Sequence, residues 1–178
     1  EGLNGVAMSK HNFDFDLIVI GGGSGGVATA NRAAEHGAKV LLVEKAYLGG
    51  TCVNVGCVPK KLRWYAAHVA DTVREAEDYS FSVTNNGFNW PQFVEKREAY
   101  LRRLNDIYGN NMLGRGIEIR KGTASLAGDN QVRIETAPGE FSEASAAHIV
   151  VAVGGKPAVP DVPGAALGVD SGGFFALT

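Results

Sequence analysis

The chain begins with short apolar segments separated by a stretch with helical spacing. Residues 15–20 (FDLIVI) and 40–43 (VLLV) are almost continuously apolar, which is typical of strands buried on both faces of a parallel sheet. Between them, Val27 and Ala30 fall on one face of a helix that Gly37 is expected to end. Together these segments predict a complete β-α-β unit.

The rest of the chain predicts two long helices and a group of strands. Apolar residues at helical spacing predict a helix over residues 59–79, and Asn89 can cap a second helix that ends near Gly109. Residues 154–178 are rich in proline and glycine and predict an irregular exit segment. Four short strands are predicted at residues 117–120, 123–126, 131–136 and 148–153. The expected fold is α/β, with a parallel sheet and a small β-meander.

Composition and charge exclude several classes of protein. The 178 residues include 17 Lys plus Arg against 19 Asp plus Glu, so the chain lacks the positive excess of a nucleic-acid-binding protein. No apolar run approaches the roughly 20 residues needed to span a membrane. The first ten residues show no secretory signal, which predicts a cytoplasmic protein.

The glycine-rich segment GGGSGG, residues 21–26, directly follows the first predicted strand. Gly21, Gly23 and Gly26 fit the pattern GxGxxG, whose glycines permit a tight turn, a close approach of a pyrophosphate, and close packing of helix on strand. Glu44 lies 18 positions after Gly26, where a carboxylate can accept hydrogen bonds from a ribose. We interpret this as a Rossmann-like dinucleotide-binding unit; the alternative is a glycine-rich turn without a ligand.

The two cysteines, Cys52 and Cys57, are five residues apart. Side chains at that spacing diverge by about 140° in a regular helix, so a disulfide between them requires irregular backbone, which Gly56 permits. If a helix begins at Cys57, its dipole and the charge of Lys60 favour the thiolate. These features predict a redox-active pair. The alternatives are two unreactive buried cysteines, or a zinc site, although no histidine lies at ligand spacing and no metal is predicted.

Two tyrosines on the second predicted long helix can border a cleft. Tyr100 and Tyr108 are eight residues apart, which places them about 80° apart around a helix. Tyrosines at such spacing are more often core or surface residues than ligand contacts, so this feature alone indicates little.

Several stretches together resemble the flavin-dependent pyridine nucleotide–disulfide oxidoreductases. The main ones are GGGSGG, the acidic residue ending the second strand, and LGGTCVNVGCVPKK at residues 48–61. FNW at 88–90, the stretch at 97–111 and GGKPAVPDVPG at 154–164 support the resemblance, which covers the chain from about residue 12. It implies an enzyme that passes electrons from NADPH through FAD and a dithiol to oxidised glutathione.

The resemblance also implies residue roles. Cys57 would be the thiol next to the flavin, Cys52 the thiol that exchanges with the substrate, and Lys60 a neighbour of the flavin's reactive nitrogen. The residues expected to bind FAD are Gly21, Gly23, Ser24, Gly25, Gly26, Glu44, Thr51, Cys52, Lys60 and Ala124. The residues expected to border the substrate cleft are Ser24, Asn31, Tyr100 and Tyr108, and Asn31 stands where some members carry an arginine.

The resemblance also sets expectations for domain organisation. Residues 1–9 are expected to be an N-terminal extension or tag remnant, and residues 10–178 a segment of an FAD-binding domain. The family's NAD(P)-binding and interface domains have no counterpart here, since no second GxGxxG occurs. The isolated chain is therefore expected to be inactive, and the full-length enzyme to be a homodimer. The alternatives are a reductase for another small disulfide, or a non-catalytic flavin-binding or redox-sensing module.

Overall fold

The structure, a computed structural model, describes residues 13–178. The predicted N-terminal extension, residues 1–9, lies outside the described residues. The first elements are β1 (Phe15–Ile20), α1 (Ser24–Glu35) and β2 (Val40–Glu44), which form the predicted β-α-β unit. The later elements are α2 (Gly50–Val55), α3 (Cys57–Glu75), α4 (Trp90–Leu113), β3 (Glu118–Lys121), β4 (Thr123–Gly128), β5 (Gln131–Ala137), β6 (Glu140–Val151) and α5 (Ser171–Ala176).

The six strands form one sheet in the order β3-β2-β1-β6-β5-β4. The first four are parallel, and β4, β5 and β6 form an antiparallel meander. β6 belongs to both parts, because residues 140–145 pair with β5 and residues 146–151 pair with β1. The predicted α/β class with a parallel sheet and a meander is confirmed, although β6 begins eight residues before the predicted 148–153.

The parallel strands are apolar along their length because both faces are covered. Ile18 and Ile20 of β1 pack toward the meander, where they meet Val132 and Ile134 of β5. On the opposite face, alternate residues of β1 and β2 pack against α1 and the end of α4. The buried residues of that face are Leu17, Val19, Val27, Ala30, Val40, Leu42, Met112 and Ile117. Burial on both faces explains why alternation is absent from these strands.

The two long helices differ from their predicted bounds. α3 begins at Cys57, two residues before the predicted start, and continues into a 3-10 turn over Ala76–Tyr79. The side chain of Asn89 caps α4 as predicted, accepting a hydrogen bond from the Gln92 amide at 3.0 Å. The predicted end of α4 at Gly109 is wrong. The helix continues to Leu113 because Met112 is fully buried, and that burial offsets the cost of about 1 kcal/mol for a glycine inside a helix.

Two short helices depart from the sequence prediction. α2 was not predicted, and α5 lies within the segment expected to be irregular. The side chain of Asp170 caps α5 by accepting a hydrogen bond from the Gly173 amide at 2.7 Å, and an aspartate at that position is a recognisable helix start.

None of the helices between residues 13 and 178 has the length and apolar character required to cross a membrane. A cytoplasmic location stays a prediction of the sequence.

Candidate active site

An open cleft of about 620 Å³ lies where three parallel strands end. The amide of Gly21, just after β1, donates to the carbonyl of Val43 at 2.8 Å, and the amide of Ala152, just after β6, donates to Ile20 at 2.8 Å. In open α/β sheets, ligands bind in the crevice at such carboxyl ends. The residues around the cleft are Gly21, Gly23, Ser24, Gly25, Glu44, Gly50, Thr51, Cys52, Gly56, Cys57, Ala152, Val153 and Gly154.

Gly21 and Gly26 are required by the packing of the protein itself. Gly21 has φ +107°, and a Cβ there would lie 2.8 Å from the carbonyl carbon of Ala152. A Cβ on Gly26 would lie 2.9 Å from the carbonyl carbon of Gly21 and still closer to its oxygen. These contacts explain why the first and last positions of GxGxxG are glycine. The first permits the tight turn, and the last permits the helix to approach the strand closely.

Gly23 and Gly25 have no such packing reason to be glycine. A Cβ on Gly23 would meet only the Cα of Gly50, at 3.8 Å, and a Cβ on Gly25 would meet nothing within 4 Å. Both residues line the cleft, at the N-terminus of α1, which no side chain of the described residues caps. Free amide groups at a helix N-terminus attract phosphates. The turn therefore leaves open the space that a pyrophosphate needs.

The cleft continues into a smaller cavity of about 130 Å³, which Ala124 helps to line. Glu44 lies on both cavities. Its carboxylate accepts a hydrogen bond from the amide of Gly22 at 2.6 Å and another from the amide of Ala46 at 2.7 Å. Since each carboxylate oxygen can accept more than one hydrogen bond, these contacts fix Glu44 and leave it able to accept from a ribose.

The dithiol lies where α2 ends and α3 begins. Gly56 separates the helices, with φ −149° and ψ −110°, so the irregular backbone predicted between the cysteines is present. This break lets Cys52 on α2 and Cys57 on α3 line the same cleft. Both cysteines are free thiols; Cys52 is half-buried and Cys57 is exposed.

The surroundings of the two sulfur atoms move their pKa values in opposite directions. The hydrogen bond from the Cys52 thiol lowers the pKa of Cys57, and the charges of Lys60 and Lys61 and the backbone amide of Cys57 act in the same sense against desolvation. The pKa of Cys52 is raised, chiefly because its thiol donates to Cys57, and also by desolvation and the neighbouring charge; the Ser24 side chain opposes this. In the form of the pair that shares one proton, the negative charge therefore lies mainly on Cys57.

This arrangement predicts how fast Cys57 reacts with iodoacetamide at each pH. Only the thiolate reacts, so a lowered pKa means that the rate reaches half its maximum below the ordinary thiol value of about 8.5. Cys52→Ala removes the hydrogen-bond donor, and we expect the midpoint for Cys57 to rise. Lys60→Met is expected to raise it as well, by a smaller amount. The test is alkylation of the reduced protein from pH 5 to 10, followed by mass spectrometry, and an unchanged midpoint in Cys52→Ala would contradict the assignment.

The structure brings most of the predicted site residues together. Eight of them line the large cleft: Gly21, Gly23, Ser24, Gly25, Glu44, Thr51, Cys52 and Cys57. Gly26 is buried beneath the turn, Lys60 lies in the first turn of α3, and Ala124 lines the adjoining cavity. How each contributes to ligand binding stays a prediction.

The other three predicted residues lie outside both cavities. Asn31 lies on α1, and its side-chain oxygen is buried without a hydrogen-bond partner among residues 13–178. Tyr100 is 42% exposed on α4, and Tyr108, on the same helix, packs against the core on the α1 side of the sheet. Their proposed contact with substrate stays a prediction.

Sequence reasoning missed the part of the cleft that β6 supplies. Ala152, Val153 and Gly154 line the cleft because β6 lies beside β1. The apolar run at 148–153 was recognised as a strand, and its place next to β1 could have been expected from the rule that ligands bind where the strand order reverses. Within the described part of the chain, no group of three or more His, Cys, Asp or Glu could hold a metal ion.

The fold and the glycine turn together define a dinucleotide-binding domain, and a pair of cysteines lies on its cleft. The family model for pyridine nucleotide-disulphide oxidoreductases matches residues 15–176. The chain belongs to this family.

The chain is also similar to a curated member of known activity. This chain is 49% identical over 172 residues to a glutathione reductase of Yarrowia lipolytica (strain CLIB 122 / E 150), an alignment that covers 92% of this chain and 37% of the relative. The chain therefore spans little more than a third of that relative's length.

Proposed function

We propose that the cleft binds FAD and that Cys52 and Cys57 form the dithiol of a disulfide reductase. The observation that carries this proposal is the pair of free cysteines on the cleft that the GxGxxG turn also lines. The open space at Gly23 and Gly25 fits a pyrophosphate, and Glu44 fits a ribose. When bound, FAD supplies a two-electron carrier that links a nicotinamide to a disulfide.

The chain's own residues perform the exchange with substrate. Moving the shared proton from Cys52 to Cys57 leaves Cys52 as the thiolate, which attacks one sulfur of the substrate disulfide. That S–S bond breaks, a mixed disulfide forms, and the first thiolate leaves with the proton of Cys57. Cys57, now the thiolate, attacks the sulfur of Cys52, which forms the Cys52–Cys57 disulfide and releases the second thiolate, which takes a proton from solvent. Two electrons have passed from the dithiol to the substrate.

We propose oxidised glutathione as the substrate and NADPH as the source of electrons. The substrate is supported by the glutathione reductase to which this chain is 49% identical, and the nicotinamide by the family's name. The complete reaction balances as oxidised glutathione plus NADPH plus one proton giving two glutathione molecules and NADP⁺. It is a reaction of the full-length protein, of which residues 13–178 supply the FAD cleft and the dithiol.

We also propose that the full-length protein is a homodimer. The supporting observation is an exposed apolar surface on α3 and the residues that follow it. Trp64 is 69% exposed, Tyr79 75% and Phe81 66%, and an exposed apolar surface of this kind marks an interaction site in many proteins. Light scattering of the purified full-length protein tests this, with twice the subunit mass as the expected result.

The test of the proposed function is an assay of the full-length protein purified with its bound flavin. We expect bound FAD and an oxidation of NADPH that depends on oxidised glutathione. Cystine and other small disulfides serve as competing substrates. A clear preference for one of them would indicate a reductase for that disulfide in place of a glutathione reductase. Bound flavin without any disulfide-dependent turnover would instead favour the non-catalytic module.

A further inference from the structure

The short helix that carries Cys52 is joined to the fold by glycines at both ends. Gly49 and Gly50, at the start of α2, have φ +88° and +56°, and Gly56 follows its end. A helix of six residues is not stable by itself in water. The orientation of α2, and so the position of the Cys52 sulfur, must therefore depend on contacts with the rest of the protein.

Asn54, two residues after Cys52, supplies the contacts within this segment. Its side-chain amide donates to the carbonyl of Gly50 at 2.9 Å and to the carbonyl of Leu48 at 3.1 Å. These bonds connect the last turn of α2 to its first residue and to the loop before it. They leave the side-chain oxygen of Asn54 free to accept a hydrogen bond from another element.

That bond comes from Asn105, in the middle of α4. The side-chain amide of Asn105 donates to the Asn54 oxygen at 3.0 Å and to the carbonyl of Leu48 at 2.8 Å. Gly109, one turn further along α4, lies beside the Leu48 side chain, since a Cβ there would be in ordinary van der Waals contact with it at 3.6 Å. One face of α4 thus holds both the loop before α2 and the side chain of Asn54.

We propose that Asn105 is a positioning residue for the dithiol. Through Asn54 it fixes the orientation of α2 against α4, and with it the separation of the sulfur atoms of Cys52 and Cys57. This inference rests on the proposed function, because it assigns a reason for holding those two sulfur atoms at a fixed separation.

Asn105 is not needed to hold α4 in place. The buried side chains of Leu101 and Met112 on the same helix pack into the protein independently of it. Replacing Asn105 by leucine, whose side chain has the same branched arrangement of heavy atoms, removes both hydrogen bonds to the α2 segment, and Leu101 and Met112 keep α4 packed. Asn54 retains its own bonds to Gly50 and Leu48, so α2 stays helical but loses its hydrogen bond to α4.

The experiment measures the rate of Cys57 alkylation against pH in the reduced full-length protein, for wild type, Asn105→Leu and a matched control. The control is Asn110→Leu, which makes the same replacement at an exposed position on the same helix. In Asn105→Leu we expect the midpoint to rise by about half a pH unit, which lowers the rate at pH 7 roughly threefold. In Asn110→Leu we expect no change. Asn105→Ala, which leaves space for water, is the second variant if the leucine protein does not fold.

A double-variant cycle separates positioning from a general loss of stability. If Asn105 acts through Cys52, then Asn105→Leu has no further effect on Cys57 once Cys52→Ala has removed the hydrogen-bond donor. An equal rise in both backgrounds would overturn the inference, and so would an unchanged midpoint in Asn105→Leu and Asn105→Ala. A wild-type protein in which Cys57 reacts like an ordinary thiol would instead overturn the proposed function, and this inference with it.

Discussion

Replacing Cys52 by serine in the full-length protein is expected to abolish its reduction of oxidised glutathione. Serine keeps the size of the side chain and its ability to donate a hydrogen bond, but it cannot form a disulfide. No mixed disulfide with the substrate can form, and electrons that reach Cys57 have no route onward. Loss of the nucleophile of a covalent mechanism reduces turnover by roughly a thousandfold or more.

Steady-state NADPH oxidation with oxidised glutathione measures this loss. Bound flavin serves as the control for folding, because the Cys52 side chain is only one of many groups around the cleft. We expect the variant to keep its flavin and to oxidise NADPH with an artificial electron acceptor that takes electrons directly from the flavin. Retained glutathione-dependent turnover would show that the substrate is reduced elsewhere in the protein.

Replacing Gly26 by alanine is expected to have the largest effect on stability. A Cβ at this position would lie 2.9 Å from the carbonyl carbon of Gly21 and 3.3 Å from a methyl group of Val19. The atoms that this Cβ would meet first belong to the backbone of Gly21, which cannot change its position as easily as a flexible side chain can. Overpacking a core commonly costs about 1–3 kcal/mol, and we expect a loss in the free energy of unfolding at or above the upper end of that range.

The matched control for this prediction is the neighbouring glycine. A Cβ on Gly25 would meet nothing within 4 Å, and alanine is favoured over glycine inside a helix by about 1 kcal/mol. Gly25→Ala is therefore expected to leave the stability of the flavin-free protein unchanged or slightly raised. Urea unfolding followed by circular dichroism compares the two variants. If both variants lower the free energy of unfolding equally, the prediction is wrong, because the close approach of α1 to the turn would not explain the need for glycine at position 26.

The β-α-β unit could be predicted from the sequence because its signals are local and agree with one another. The apolar run at 15–20 coincides with β1, and Glu44 ends β2 as the pattern indicated. Gly56 also correctly indicated the irregular backbone between the cysteines. Each of these features depends on neighbouring residues alone, so the sequence contains the information needed.

Other features depend on contacts between distant residues. α2 consists of residues with weak helical preference, such as Gly50, Thr51 and Val53, and the partner of Asn54 is 51 residues away. The end of α4 was misplaced for the same reason, since the burial of Met112 outweighs the glycine before it. Helical spacing placed Tyr100 and Tyr108 about 80° apart but could not show which side of α4 faces the cleft.

The most direct test is a count of reactive thiols in the full-length protein before and after two-electron reduction. Air-oxidised protein is alkylated, digested and mapped by mass spectrometry, and the measurement is repeated after one equivalent of NADPH per flavin under anaerobic conditions. We predict one peptide with an internal disulfide between Cys52 and Cys57 in the oxidised protein, and two alkylated cysteines in that peptide after reduction. The account would be contradicted if both cysteines are alkylated in the air-oxidised protein, and if both are still alkylated when oxidised glutathione is added before the alkylating reagent.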